Sequence, residues 1–375
     1  MMGLIIAMVL PMNARYALYS SEAQAIVLCA NETIHASRYE RQTVVIGRPV
    51  DTPLSSGRFV PVKGFGEAKP RSAAQLAIRA LRDVRPDIII VEQRADLASY
   101  IAAGLPNVPV VLRRHVAYQP KSWMKVLRDR FRFKRIAKII WVSDAARSSF
   151  INKHKAFVSK SLTIHNGFDP ACWEPAICRD KVVLFSGRAH PGKGVLEAAL
   201  AVAQALDRFK DWQCQFILST STAQEGYIEA VTSALRPLGS RATLSFDRPF
   251  DEVRVANQNA AVVLVPSKEA EAFGRTALEA MAGGATLVTS GQFGLKEICG
   301  DCAVILPKVS ADHIRQAIID LIIEPERRER IGSMGNERVR KLFDQNILSA
   351  RWDRLIEDVC HEHQSKKGPY ANPNY

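Results

Sequence analysis

Glu271-Ala272-Phe273-Gly274-Arg275-Thr276-Ala277-Leu278-Glu279 is the stretch on which the reading of this chain turns. It follows an apolar run ending at Pro266 with the composition of a buried strand, and Gly274 stands where a helix should begin. A glycine there leaves the backbone free to turn, and the amides of Gly274 and Arg275 have no partner inside the helix. Together they form an anion site at a helix N-terminus, suited to phosphate oxygens. Glu271 on the loop and Glu279 a turn or so into the helix would bracket that site rather than touch each other. Their ionised oxygens can accept strong hydrogen bonds from sugar hydroxyls. Taken alone, two glutamates eight positions apart are also what a solvated helix start carries.

Outward from this stretch, short apolar runs alternate with helical patterns, the mark of parallel sheets with crossover helices. In the first half, strands are expected at 4–10, 44–47, 59–62, 87–92, 108–112, 139–143 and 162–165, with a clear helix at 71–84. Their continuous apolar character fits strands covered on both faces. The pattern restarts with strands at 182–186, 214–219, 242–246, 261–266, 286–289 and 303–306, and helices at 195–209 and 274–281. Two doubly wound units imply a cleft, with ligands at the carboxyl ends of the strands. The expected division is an acceptor-binding domain at 1–168, a proline-containing linker at 169–180 and a nucleotide-sugar-binding domain at 181–345. A C-terminal helix at 346–363, packing back on the first domain, and a frayed tail at 364–375 complete it.

Further blocks stand in order along the chain. Ser186-Gly187-Arg188-Ala189-His190-Pro191-Gly192-Lys193-Gly194 is a glycine-rich turn with two cations, and Asn166-Gly167-Phe168-Asp169 and Val142-Ser143-Asp144-Ala145 precede it. With the E-x7-E stretch and the following Ala280-Met281-Ala282-Gly283-Gly284, they resemble the motif set of the family 4 retaining glycosyltransferases of GT-B fold. The likeness spans roughly residues 87 to 345, and the ordered set is far more specific than any one piece. It implies an α/β chain of two Rossmann-like domains facing a cleft. It also implies a donor site of Gly187, Arg188, Lys193, Glu271, Phe273, Gly274, Arg275 and Glu279. Glu271 would orient the sugar hydroxyls and Glu279 the ribose, while Arg188 and Lys193 would stabilise negative charge growing on a departing diphosphate. In the resembling family a histidine placed like His115 lies near the donor sugar, and Arg113 and Arg114 beside it would meet acceptor phosphates. One departure stands out: no glycine follows the first strand, where Pro11-Met12-Asn13-Ala14-Arg15 runs instead. Either a side chain such as Arg15 or Asn13 replaces the family's backbone cradle, or the acceptor enters differently.

The composition sets limits. With 375 residues, 47% hydrophobic and 24% charged, the chain has room for two packed domains and excludes a disordered, collagen-like or coiled-coil protein. Seven scattered cysteines point to free thiols in a reducing compartment, and Cys299-Gly300-Asp301-Cys302 is a lone C-x-x-C better read as two packed thiols. The chain contains no D-x-D, so no metal and no cofactor beyond the nucleotide-sugar substrate is expected. The N-terminal apolar run lacks a basic flank and is far too short to span a bilayer, so neither a secretion signal nor a transmembrane helix is expected.

The net charge of +13 is one-sided: residues 1–170 carry 26 basic and 12 acidic side chains. Eight basic residues and one acidic fall in residues 121–138, including Lys125, Arg128, Arg132 and Arg135. Trp123, Met124, Leu127, Phe131 and Ile136 mostly recur there at three or four positions, as in helices lying in a membrane interface. A helix packing its stripe on the core gives the same pattern. Nucleic acid fits less well, because no groove-reading motif is present. The sequence therefore predicts a metal-independent retaining glycosyltransferase, cytoplasmic or peripheral on the inner face of the membrane. It would pass a sugar from a nucleotide sugar to a glycan or lipid-linked acceptor in lipopolysaccharide or surface polysaccharide assembly. A sugar-nucleotide epimerase or hydrolase of the same fold, or a non-catalytic binder of anionic polymer, are the alternatives.

Overall fold

A computed structural model describes residues 3–17, 25–220 and 224–367. It divides into two compact units, Met1–Gly167 with Gln345–Tyr375, and Phe168–Asp344. The first contains β1 (Ile6–Val9), α1 (Ala25–His35), β2 (Thr43–Gly47), β3 (Arg58–Pro61), α2 (Pro70–Val84), β4 (Ile88–Glu92) and α3 (Ala95–Gly104). It continues with β5 (Val110–Arg114), α4 (Trp123–Lys134), β6 (Lys138–Trp141), α5 (Asp144–Ile151) and β7 (Ser161–Thr163). The strands form one parallel sheet in the order β3-β2-β1-β4-β5-β6-β7. In β1, Ile6 is flanked by Thr43 on one side and Ile88 on the other. β1, β2 and β4 are buried along their whole lengths, which is why their middles are continuous apolar runs such as Val44-Val45-Ile46 and Ile88-Ile89-Ile90-Val91 rather than alternating. Pro70 opens α2, where a missing amide costs nothing, and Ala73, Ala74, Ala77 and Leu81 give it a buried face.

The second unit contains β8 (Asp180–Arg188), α6 (Val195–Leu206), β9 (Gln213–Ser219), α7 (Glu225–Leu235), β10 (Ala242–Phe246) and α8 (Phe250–Asn259). Then come β11 (Ala260–Val265), α9 (Arg275–Ala282), β12 (Thr286–Thr289), α10 (Gly294–Cys299), β13 (Val304–Ile305), α11 (Ala311–Ile323) and α12 (Pro325–Phe343). Its parallel sheet has the order β10-β9-β8-β11-β12-β13. Chain order reverses between β1 and β4 in one sheet and between β8 and β11 in the other. Open parallel sheets bind ligands at such switch points, beyond the carboxyl ends of their strands. The final helix, α13 (Gln345–Lys367), belongs to the first unit. Its Trp352, Leu355, Ile356, Val359 and Cys360 share a core with Ile6, Met8 and Ile34.

All thirteen expected strands form, most with ends shifted by one or two residues, and three differences bear on the architecture. β8 runs on to Arg188 because β9 is long enough to pair with it, with Gly187 opposite Leu218 and Arg188 opposite Ser219. The expected linker at 169–180 is packed rather than free. Trp173 is buried, and Arg179 donates to the carbonyls of Gln258, Ala260 and Gly283, all within the second unit. The C-terminal helix continues past 363 to Lys367, and residues 368–375 of the expected tail lie outside the described residues.

Candidate active site

In the second unit Gly274 caps α9 with φ +104°, and a Cβ there would come within 2.4 Å of Leu295 Cδ2. Both the left-handed backbone and the close approach require glycine. The helix begins at Arg275, and its first intrahelical bonds run from the amides of Ala277 and Leu278 back to the Gly274 carbonyl. The amides at the start of α9 point out of the helix, as the anion site requires.

Lys193 and Glu271, 78 positions apart, form an ion pair, and Ser267 Oγ donates to the same Glu271 oxygen at 2.8 Å. The Gly192 carbonyl accepts from the amides of Lys268 at 2.8 Å and Glu269 at 3.2 Å. Gly194 (φ +69°) lies so close to Pro266 that a Cβ would meet its carbonyl oxygen at 2.3 Å. The two loops after β8 and β11 are therefore stitched into one surface. Arg188 is exposed at the end of β8. Within α9, Arg275 Nε donates to Glu279 Oε1 at 2.6 Å and its guanidinium lies 5.4 Å from the Phe250 ring centre. Cations, carboxylates and helix amides thus occur within one unit, on loops at adjacent strand ends.

Two features of this site differ from the sequence reading. Phe273 is buried edge-on against Phe343, ring centres 5.8 Å apart, so its ring anchors the loop rather than facing a ligand. Glu271 holds Lys193 directly, a pairing that residue spacing does not reveal. Ser267 and Gly192 also escaped notice, although a serine just past a buried strand is a recognisable signal.

In the first unit the basic residues at the end of β5 turn inward. Arg113 is 1% exposed. It donates to Thr33 Oγ1 and Asn166 Oδ1, each at 3.1 Å, stands 3.8 Å from Glu92 Oε1 and lies over Trp352. Arg114 donates to the Gln93 carbonyl and packs near Trp141, and burial pushes its pKa down to about 10. The expectation that these two arginines meet acceptor phosphates is corrected: a buried charge needs internal partners, and both have them. His115 Nε2 sits 2.7 Å from Glu92 Oε2, and its amide donates to Gln93 Oε1 at 2.9 Å. The Glu92 contact occupies Nε2. Burial lowers the His115 pKa, partly offset by Glu92, so the ring is neutral at neutral pH. Gln93 holds a left-handed φ of 65° to make these contacts. Glu92, a carboxylate closing an Ile-Ile-Ile-Val run, was the unread signal.

After β1 the described residues pack down: Met12, Ala14 and Tyr16 are buried, and the Tyr16 hydroxyl donates to the Ser56 carbonyl at 2.6 Å. Asn13 is exposed and Arg15 half-buried. Helix α4 starts on Ser122, whose hydroxyl accepts from the Lys125 amide. Its Arg128 is exposed and Lys125 half-buried, and Arg135 is exposed just past its end. Arg132 pairs with the buried Asp129 at 3.0 Å. The apolar stripe does not pack on the core, and Ile136, buried beyond the helix, is not part of it. Cys299 is buried, which pushes its thiol up to about 11, in keeping with a packed thiol.

The family described as glycosyltransferase family 4 matches residues 25–171, and that of glycosyl transferases group 1 matches residues 175–338. The two Rossmann-like units and these matches define a glycosyltransferase of GT-B fold. The chain belongs to the glycosyltransferases that join a family 4 domain to a group 1 domain. It is 26% identical over 330 residues to phosphatidyl-myo-inositol mannosyltransferase of Mycolicibacterium smegmatis, covering 82% of each chain. It is 25% identical over 308 residues to lipopolysaccharide 1,2-N-acetylglucosaminetransferase of Salmonella typhimurium, covering 77% of each. Its fold matches Anabaena HepE in complex with UDP-glucose at a TM-score of 0.74 and 16% identity, over 96% of this chain and all of that one. Among the described residues no helix is long and apolar enough to cross a membrane.

Proposed function

We propose that this glycosyltransferase takes a sugar from a nucleoside diphosphate sugar and passes it, with retention, to a lipid-linked or glycan acceptor. The observation that carries the donor half is the Lys193–Glu271 pair set beside the Gly274 helix start. Diphosphate oxygens meet the α9 amides, and Arg188 and Lys193 stabilise the charge that grows on the leaving diphosphate more than they stabilise the intact donor. Glu271, held in place by Lys193 and Ser267, accepts sugar hydroxyls, and Glu279 accepts ribose hydroxyls beside Arg275. The UDP-glucose complex of HepE and the names of the mannosyl- and N-acetylglucosaminyltransferase relatives support a nucleotide-sugar donor.

His115 is the candidate for contact with the reacting sugar face, presented neutral and fixed by Glu92. The positive first unit brings the enzyme to an anionic inner membrane face, where acceptors for lipopolysaccharide or surface polysaccharide are built. A thermal-shift panel of nucleotide sugars tests the donor: a binder gains about 2.7 kcal/mol at a hundredfold excess over its Kd. The best donor is then incubated with membrane lipid extract and the product's anomeric configuration read by NMR. Donor consumed at the same rate without any acceptor would instead identify a hydrolase or epimerase.

A further inference from the structure

Helix α4 turns its apolar face outward. Trp123 is 73% exposed, Met124 62%, Phe131 57% and Leu127 47%, while Asp129 and Phe133 face the core. These four lie one, four and eight positions along from Trp123, so they share one side of the helix. Beside that side runs a groove of about 820 Å³ between residues 120–130 and residues 152–157. Its lining separates by chemistry. Trp123, Val126, Leu127 and Phe157 make apolar walls, Lys121, Arg130, Lys153 and Lys155 bring positive charge, and no Asp or Glu lines it among the described residues. Two nearby cations are paired, Arg132 with Asp129 and Lys138 with Glu362, while Arg128 and Arg135 are exposed. Among the described residues none of the four groove cations has a carboxylate within ion-pair distance. An apolar wall beside unpaired cations is complementary to a ligand that joins hydrocarbon to a fixed negative charge.

We propose that this groove takes the phosphate head and upper acyl chain of an anionic phospholipid in a bilayer, with the Trp123–Phe131 face inserted among neighbouring lipids. The proposal rests on the membrane placement in the function given above and deepens it from a general charge attraction to a built lipid site. A nucleic acid would satisfy the cations but leave Met124 and Leu127 facing water.

Trp123 makes the test direct. The other four tryptophans, Trp141, Trp173, Trp212 and Trp352, are all buried, so Trp123 is the exposed fluorophore. The full chain is mixed with phosphatidylcholine vesicles with and without phosphatidylglycerol. Its emission, its quenching by brominated lipid and its cosedimentation are followed at low and high salt. Phosphatidylglycerol vesicles are expected to bind it, blue-shift Trp123 and bring it within reach of the bromines; neutral vesicles should do little. Lys153→Gln with Lys155→Gln should lower the partition coefficient roughly thirtyfold, and Leu127→Ser with Phe131→Ser should abolish the shift. Lys308→Gln with Lys341→Gln, an equal charge loss on exposed residues of the second unit, should leave both nearly unchanged. Vesicle binding with no change at Trp123, an equal loss in the control pair, or the same shift on single-stranded RNA with none on vesicles would each overturn the proposal. Nucleotide binding by the same preparations is scored separately by thermal shift. Its absence would remove the donor reading and leave the vesicle result standing.

Discussion

Replacing Lys193 by Ala separates a structural ion pair from a leaving-group contact. The Lys193 side chain is about one-fifth exposed and Glu271 similarly so, and their pair is supported by Ser267. A partly solvated pair of this kind contributes about 1 kcal/mol or less to folding. In a domain pair of this size that lowers Tm by roughly 2–4 °C. The catalytic loss should be far larger. A unit charge held ~4 Å from a phosphoryl oxygen at an effective dielectric of ~20 is worth about 4 kcal/mol. Removing one preorganised stabilising group of this kind typically costs ~2.7–4 kcal/mol, or two to three orders of magnitude in kcat.

Steady-state turnover with the nucleotide sugar that gives the largest thermal shift measures this, with circular dichroism as the check on folding. Glu271→Gln and the double variant complete a cycle. If Lys193 acts only by orienting Glu271, the double variant should be no slower than the slower single one. If Lys193 also meets the diphosphate, it should be slower than either. Turnover within twofold of wild type in a folded Lys193→Ala protein would refute the leaving-group role.

Four other outcomes follow from the same geometry. Transfer should survive EDTA, because cations and helix amides do the neutralising; full loss restored by magnesium or manganese would sink that mechanism. Arg113→Ala should destabilise the first unit by about 3–5 kcal/mol in urea titration, since it leaves Glu92 buried without its cation. A near-neutral effect on stability with lost acceptor use would return Arg113 to the acceptor. Burial lowers the pKa of His115 and of His154 below the ordinary value of about 6.5. The unfolded chain therefore binds more protons than the folded one, so stability is present above about pH 6.5 and is lost as pH falls through it. Urea midpoints across that range should show the fall, and His154→Gln should flatten it. Nucleotide binding should depend weakly on salt and vesicle binding steeply, which titration at rising ionic strength would check.

Most of the fold was legible because both sheets bury their central strands on two faces, and a run such as Ile88-Ile89-Ile90-Val91 has few other uses. The end of β8 was not, since whether Gly187 and Arg188 extend a strand depends on β9 lying alongside them. The turns after β8 and β11 were legible as residue types, because glycines at left-handed positions such as Gly194 and Gly274 are local requirements. The Lys193–Glu271 pair is a tertiary fact. Arg113 was misread for the same reason: an arginine at a strand end looks like surface until Glu92, Thr33 and Asn166 converge on it. In α4 the period marked four of the five stripe residues, Ile136 lying buried beyond the helix. Period alone does not say which side of a helix meets the core, and here it is the side bearing Phe133 and Asp129.

Burial divides the positive charge of the first half by purpose. Residues 1–170 carry 26 basic and 12 acidic side chains, yet two of the most suggestive cations, Arg113 and Arg114, are held internally. Lys121, Arg130, Lys153 and Lys155 reach solvent around α4 and residues 152–157, where apolar side chains are also exposed. The rest of the chain, with 25 basic and 26 acidic residues, has almost no net field. In the proposed function, affinity for an anionic donor comes there from placement, with Lys193 against Glu271, Arg188 at a strand end and amides at a glycine-started helix. Long-range attraction and short-range recognition thus reside in different halves of one chain. The proposed lipid surface need not distort the proposed donor site, because the two share no residue.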